Sequence, residues 1–169
     1  MSTLRVDNYL DRTGTYRSAG RVLQVVNTQS GALATGTTVM PIDDTIPQNT
    51  EGNEYMTLAI TPTNASNKLL ITVYAFLSHS AAGSWMSGAL FQDSTANALA
   101  SYASFQQTGT GANTIAFAHY MTAGTTSSTT FKFRAGAQQA GTTTFNGSNS
   151  ARFFGGTTAS SITIMEIVA

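Results

Sequence analysis

The stretch Lys68-Leu69-Leu70-Ile71-Thr72-Val73-Tyr74-Ala75-Phe76-Leu77-Ser78 decides the fold class of this 169-residue chain. Successive side chains of a β-strand point to opposite faces. Here one parity is wholly apolar, while the other mixes large apolar groups with Thr72 and Ser78. Branched and aromatic residues in such numbers favour strands. The pattern predicts a central strand of a β-sandwich, buried on one face and partly covered on the other.

Short apolar runs with Gly, Asn or Pro between them continue on both sides of this stretch. Their spacing is that of an antiparallel sandwich or barrel, and no window shows the 3.6-residue period of a helix. We therefore predict an all-β fold, with a single antiparallel β-sandwich over residues 21–169. The other predicted strands are 22–28, 37–40, 55–61, 85–92, 99–106, 114–121, 129–135, 142–145 and 162–168.

The composition excludes several classes of protein. Only 9% of residues are charged and the formal net charge is zero, so no overall field attracts nucleic acid or an acidic membrane. With 28 Thr and 17 Ser but 41% hydrophobic residues, the chain lacks the profile of a disordered protein. It has no Cys, which excludes disulfides and Cys-based metal sites. Its start lacks the apolar region of a secretory signal, so we expect synthesis without export.

Residues 1–20 differ from the rest of the chain in charge. The first 21 residues hold four of the eight basic residues and two acidic ones, whereas the remainder carries a net charge of −2. Leu4 and Val6 alternate with polar neighbours before Tyr9 and Leu10, which is too little apolar area for an independent fold. The segment is either an extended anchoring arm or a frayed terminus.

The last predicted strand is strongly apolar and ends the sequence. Ile162, Ile164 and Glu166 share one parity, and Ile167 belongs to the other. A strand of this kind requires cover, either in the middle of a sheet or in a subunit interface. Glu166 is expected to pair with a Lys or Arg or to face solvent.

Three segments resemble a family of small bacteriophage virion proteins, the tail-fibre or spike proteins. They are Ser-Thr-Leu-Arg-Val-Asp-Asn at 2–8, Ile60-Thr61-Pro62 with Ala65-Ser66-Asn67-Lys68-Leu69-Leu70-Ile71, and Ala159-Ser160-Ser161-Ile162-Thr163-Ile164-Met165-Glu166-Ile167. The resemblance implies a short N-terminal segment that docks on the virion. It also implies a compact jelly-roll domain, similar in architecture to tumour necrosis factor and usually a homotrimer.

On this basis we predict a non-enzymatic phage virion structural protein, a homotrimeric short tail fibre or spike that is assembled in the host cytoplasm. The arm would bind another virion protein, of the tail or the capsid, and the body would contact the host surface, including its glycans. The absence of a long shaft favours a short spike or capsid-bound knob. A capsid-decorating trimer (head fibre or cement) is one alternative, and a carbohydrate-binding module is another. The arm residues assigned to virion anchoring are Leu4, Arg5, Val6, Asp7, Tyr9, Leu10 and Arg12.

We predict no catalytic, cofactor-binding or metal site. Asp43, Asp44, Glu51 and Glu54 lie in a connection that matches no known calcium loop, so a solvated loop is favoured over a structural metal. His79 and His119 have no second ligand nearby in sequence, although one His per chain at a trimer axis would present three nitrogens. The chain also lacks a G-x-S-x-G elbow, and its acidic residues are too few to suggest a glycosidase pair.

Two groups of residues are predicted to make contacts between molecules. Aromatic residues are common in interfaces, so Phe153 and Phe154, in a Gly-flanked loop, are assigned to core or trimer interface in preference to a glycan surface. Ile162, Ile164 and Ile167 join them as candidate interface residues. The turn-rich loops 80–84, 107–113 and 146–156 are the candidate host-contact loops, and the candidate residues in or directly beside them are Ser84, Trp85, Thr110, Asn113, Asn146 and Asn149.

Overall fold

The computed structural model describes residues 20–169, and the predicted anchoring residues Leu4 to Arg12 lie outside that range. The described chain is built almost wholly of antiparallel strands, as predicted. In chain order they are β1 (Val22–Ser30), β2 (Ala34–Gly36), β3 (Asn53–Ile60), β4 (Lys68–His79), β5 (Ser84–Gln92), β6 (Ala100–Gln106), β7 (Ala112–Thr122), β8 (Thr129–Ala137), β9 (Thr143–Phe145), β10 (Gly147–Ser148), β11 (Ala151–Arg152) and β12 (Ser160–Ile167).

Eight long strands form two sheets that pack face to face. Sheet 1 has the order β1-β12-β4-β7, and the short pair β9 and β2 continues it beyond the end of β12. Sheet 2 has the order β3-β8-β5-β6. With the long strands renumbered 1 to 8 along the chain, these orders read 1-8-3-6 and 2-7-4-5. This double Greek-key arrangement is the jelly roll, and it confirms the predicted fold class.

The core lies between the two sheets and is filled by the parity predicted to be apolar. Leu69, Ile71 and Leu77 of β4 are fully buried there, together with Phe131 and Phe133 of β8. Strand β4 pairs with β7 along one edge and with β12 and β9 along the other. It is therefore the central strand that its alternation predicted.

The connection between β2 and β3 covers part of the outer face of sheet 2. In this segment, residues 37–52, Met40 packs with Ala89 and Phe91 in a second small apolar cluster. The Met40 amide donates to the Ala137 carbonyl at 3.0 Å. The predicted strand 37–40 is wrong: these residues form no strand, and the short strand in this region is β2.

Helical structure is confined to one turn in the described residues. A 3₁₀ turn spans Phe154–Gly156. No helix within residues 20–169 is long and apolar enough to cross a bilayer.

Candidate functional site

The outer face of sheet 1 carries a continuous row of apolar side chains. The strand register places Val25 beside Met165, Met165 beside Leu70, and Leu70 beside Tyr120. Val25 is 54% exposed and Tyr120 is 57% exposed. The row therefore crosses all four long strands of the sheet and is open to solvent at both ends.

Small polar and apolar residues make up the neighbouring rows of this face. The next row runs Asn27, Thr163, Thr72 and Ala118, and the one after it Gln29, Ser161, Tyr74 and Ala116. Lys68 is the one charged side chain that the described strands place on this face, and its Nζ donates to the Thr122 hydroxyl at 2.7 Å at the rim. We call this surface the uncharged face.

The candidate interface residues of β12 fall on two sides of sheet 1. Ile162 and Ile164 are fully buried in the chain's own core, so their assignment to a trimer interface is corrected. Ile167 lies half-buried on the uncharged face, opposite Lys68. The interface candidates that sequence reasoning missed are Val25, Leu70, Tyr74 and Tyr120, whose strand parity signals an outer face without charge.

Phe153 and Phe154 adjoin the uncharged face. The ring of Phe153 packs against that of Phe76, with centroids 5.7 Å apart. Phe154 is 82% exposed and stands edge-on to Phe153. The loop thus extends the uncharged face with an exposed aromatic ring.

Glu166 is buried beneath the end of sheet 1, which corrects the expectation of solvent exposure, and no Lys or Arg within residues 20–169 pairs with it. Its Oε1 accepts hydrogen bonds from the Asn67 side chain at 2.6 Å and from the Thr63 amide and hydroxyl, both at 2.8 Å. Its Oε2 accepts from the Gln24 side chain at 2.6 Å. The carboxylate joins β1, β12 and the turn before β4.

The hydrogen bonds decide the charge state of Glu166. Burial by itself raises the pKa of a carboxyl group, because it disfavours the charged form. The donors from Asn67, Gln24 and Thr63 act in the opposite direction and hold the pKa of Glu166 at about 2. The group is therefore ionised over the physiological range and has a structural role.

Two of the candidate host-contact residues are internal. Ser84 is fully buried in β5. Asn146 is also fully buried, and its side chain donates to the carbonyls of Ser30 and Ala32 at 2.6 and 3.0 Å while accepting from Ser160. The assignment of both to host contact is corrected, since both side chains are buried and that of Asn146 joins Ser30 to Ser160.

Two of the candidate host-contact loops, 107–113 and 146–156, lie side by side at one end of the sandwich. The Thr110 amide donates to the His79 carbonyl at 2.8 Å, and the Thr110 carbonyl accepts from the Ser148 hydroxyl at 2.5 Å. Thr110 and Asn149 are exposed at this end, whereas Asn113 is half-buried and accepts from Ser104. Trp85 is 42% exposed on the outer face of sheet 2.

The two histidines lie in different surroundings. His79 is 1% exposed, its Nδ1 lies 3.2 Å from the Thr143 hydroxyl, and burial lowers its pKa, while the Ala140 and Gln139 carbonyls act in the opposite direction. His119 is half-buried on β7, where burial also lowers its pKa. Within residues 20–169, no three His, Asp or Glu side chains converge as a metal site would require.

The acidic connection lies over sheet 2 and its carboxylates are dispersed. Asp43 accepts from the Thr45 amide at 2.9 Å, and the hydrogen bonds of Thr45 lower its pKa. Glu51 accepts from the Gln48 amide at 3.0 Å. Glu54 instead approaches Arg134 at 3.8 Å. Asp43, Glu51 and Glu54 thus each have a different local partner.

Between this connection and β6 runs an open groove, which the sequence did not reveal. Its larger part has a volume of about 400 Å³ and lies against residues 43–47 and 98–101. Its smaller part, of about 180 Å³, extends beneath Pro41 and Ile42 to Ser87 and Ala103. We call the two parts together the sheet 2 groove.

No protein-family model and no curated protein sequence matches the chain. The chain is similar over its full length to a chain in the structure of infectious bursal disease virus, Gt strain, at 14% identity and a TM-score of 0.44. It is also similar over 90% of its length to dimeric latent PorU from Porphyromonas gingivalis (10% identity, TM-score 0.41). A third similarity, over 72% of its length, is to the enzymatically active domain of tailspike protein 4 of bacteriophage CBA120 (16% identity, TM-score 0.29).

The chain spans only part of each of these proteins, covering 43% of the bursal disease virus chain, 14% of PorU and 18% of the tailspike chain. The solved structures that it resembles thus include proteins of virus particles. At these identities and TM-scores the likenesses assign no function.

Proposed function

We propose that the chain is a non-enzymatic structural protein of a phage virion, a homotrimeric short spike whose body contacts the host surface. The observation that carries the proposal is the uncharged face of sheet 1. The surface of a soluble monomer usually carries many charges, whereas the centre of a subunit interface is depleted of them and rich in aromatic residues. The resemblance of three sequence segments to tail-fibre and spike proteins supports the assignment to a virion. It also supports the homotrimeric state.

Association through this face also fits the low charge of the chain. Each copy would cover Val25, Tyr74 and Tyr120, which are about half exposed in the single chain. Burial of apolar surface stabilises association by roughly 25 cal/mol per Å² before the entropic cost of association is subtracted. Lys68 and its partner Thr122 would remain at the rim of the interface. A charge at the rim stays hydrated, so it takes little from the free energy of association.

A matched pair of charge insertions tests the interface. Ala118 is exposed within the uncharged face, and Ala59 is exposed on β3 of sheet 2. We expect light scattering to show a trimer for the unmodified protein and for Ala59→Glu, and a monomer for Ala118→Glu, because an interface would bury the new charge without a partner. A monomeric unmodified protein, or a trimeric Ala118→Glu variant, would contradict the proposal.

A further inference from the structure

The sheet 2 groove has the size of a small-molecule site. Its two parts, of about 400 and about 180 Å³, adjoin each other, and both are lined by Asp43, Thr45, Pro47 and Ser101. Ligand pockets in proteins commonly measure about 300 to 1,000 Å³ and combine an apolar lining with a few polar groups. In the sheet 2 groove, Pro47 is an apolar lining residue and Ser101 is a polar one.

A buried hydroxyl without a partner lies at the floor of the groove. Ser87 is 4% exposed and lines the smaller part, and its Oγ has no hydrogen-bond partner among the described residues. Burial of a hydroxyl without a partner costs roughly 1–3 kcal/mol, so such groups call for an explanation. The Oγ is itself buried, so a ligand in the groove supplies the missing partner once the Ser87 side chain turns toward the groove.

The groove selects against acidic ligands. Asp43 and Asp44 stand in its wall, and no Lys or Arg is among its described lining residues. Asp43 accepts the Thr45 amide at 2.9 Å with one oxygen. Ionised carboxylates accept hydrogen bonds and do not donate them. The wall therefore favours a ligand rich in hydroxyl or amino donors and repels carboxylate, sulfate and phosphate.

An exposed aromatic pair continues the floor beyond Ser87. Ser87 is in register with Ala103, and the next pair on the same face is Trp85 with Phe105. Two residues along a strand correspond to about 7 Å. Trp85 and Phe105 are 42% and 45% exposed and meet edge to face at 5.2 Å. The pair offers apolar ring surface next to the polar groove.

We propose that the sheet 2 groove binds a saccharide that carries no acidic group. Its hydroxyls donate to Asp43 and hydrogen-bond to the hydroxyls of Ser87 and Ser101, and the C–H face of a sugar ring packs on Trp85. This assignment rests on the host-contact part of the proposed function and gives that contact its ligand class. It moves the contact from the end loops 107–113 and 146–156 to the outer face of sheet 2.

The test is a titration of the full-length protein with maltose, lactose and chitobiose, followed by saturation-transfer NMR and calorimetry. Digalacturonic acid serves as the acidic comparison. We expect at least one neutral disaccharide to bind, and digalacturonic acid to bind at least about tenfold more weakly. Binding of none of the three, or equal binding of the acidic sugar, would overturn the proposal.

Two variants with matched controls locate the site. Trp85→Ala and Asp43→Asn are each expected to weaken binding by about tenfold or more. Phe154→Ala removes an exposed aromatic ring elsewhere, and Glu54→Gln neutralises an exposed carboxylate elsewhere, so both should bind within about twofold of the unmodified protein. If Trp85→Ala does not fold, the affinity of Asp43→Asn still shows whether the sugar binds in the sheet 2 groove. Unchanged affinity in the folded site variants would place the ligand elsewhere and overturn the proposal.

The outcome is independent of the assembly test. A trimer that binds no sugar would contradict the groove assignment and leave the spike proposal standing. A monomer that binds sugar through Trp85 and Asp43 would contradict the trimer and support a carbohydrate-binding module.

Discussion

Glu166 is a charged side chain whose partners among residues 20–169 are neutral hydrogen-bond donors. Its donors come from residues far apart in sequence: Gln24 lies 142 positions away and Asn67 99 positions away. A buried carboxylate without such donors would take up a proton or destabilise the fold. The residue thus ties the first strand, the last strand and a central turn together.

Replacement of this carboxylate by an amide should destabilise the protein. In Glu166→Gln, an NH2 group replaces one of the two oxygens, so it faces either the donor of Gln24 or the donors of Asn67 and Thr63. We expect a loss of about 1–3 kcal/mol in the free energy of unfolding, measured by urea denaturation at pH 7. Glu54→Gln, at an exposed carboxylate, should change it by less than about 0.5 kcal/mol.

The pH dependence of stability provides the second half of this test. The pKa of Glu166 is about 2 in the folded protein against an ordinary value of 4.5. As the pH falls, the unfolded chain therefore takes up this proton at a higher pH than the folded protein does. The stabilisation is complete above about pH 4.5 and is lost as the pH falls toward 2. Glu166→Gln should lack this part of the acid dependence, and an acid profile identical to that of the unmodified protein would refute the role assigned to the carboxylate.

At the scale of elements, most strands could be predicted because alternation is a local property of the backbone. The long strands β4, β5, β7 and β12 lie within one or two residues of their predicted limits. The prediction failed at 37–40, where Thr37, Thr38 and Val39 have strong strand propensity. Met40 is buried against sheet 2 in the structure. Packing of that side chain overrides the local preference.

A glycine in β5 shows how closely the two sheets approach. A Cβ placed on Gly88 would lie 2.6 Å from the Phe133 ring and 2.8 Å from the Ile115 side chain. We therefore expect Gly88→Ala to cost about 1–3 kcal/mol of stability in urea denaturation, since the Phe133 ring and the Ile115 side chain must shift. Ala59→Val, which enlarges an exposed side chain on β3, is the control and should change stability by less than about 0.5 kcal/mol. Equal stability of Gly88→Ala and the unmodified protein would contradict this view of the core.

At the scale of the whole molecule, the body is expected to fold without the arm. Within residues 20–169, the apolar cluster between the sheets runs from Val26 to Ile164 and takes side chains from both sheets. We expect deletion of residues 2–12 to leave a folded trimer, seen by circular dichroism and light scattering, that no longer joins phage particles. Loss of folding or trimerisation would show that the arm belongs to the body. Normal incorporation of the truncated protein into particles would contradict the tether.

The distribution of charge over the folded molecule also belongs to this scale. The net charge of zero combines four arginines among the first 21 residues with a body whose sheet 1 presents almost no charge. From the low charge by itself, we predict that nucleic acid is not a partner. The strand register shows where the charges are missing, namely on one outer face, and that location is what supports an assembly surface.

The sequence by itself determined the all-β class, the central position of β4 and the limits of most strands. These depend on the alternation of side chains along each strand and on turn residues, which neighbours in the chain decide. The tertiary structure decided which residues perform which role. It alone placed Ile164 in the core and Met165 on the uncharged face, surrounded Glu166 with distant donors, buried Asn146 and opened the groove beside Ser87. Each of these depends on strand pairing and on contacts between residues far apart in sequence, which no local pattern encodes.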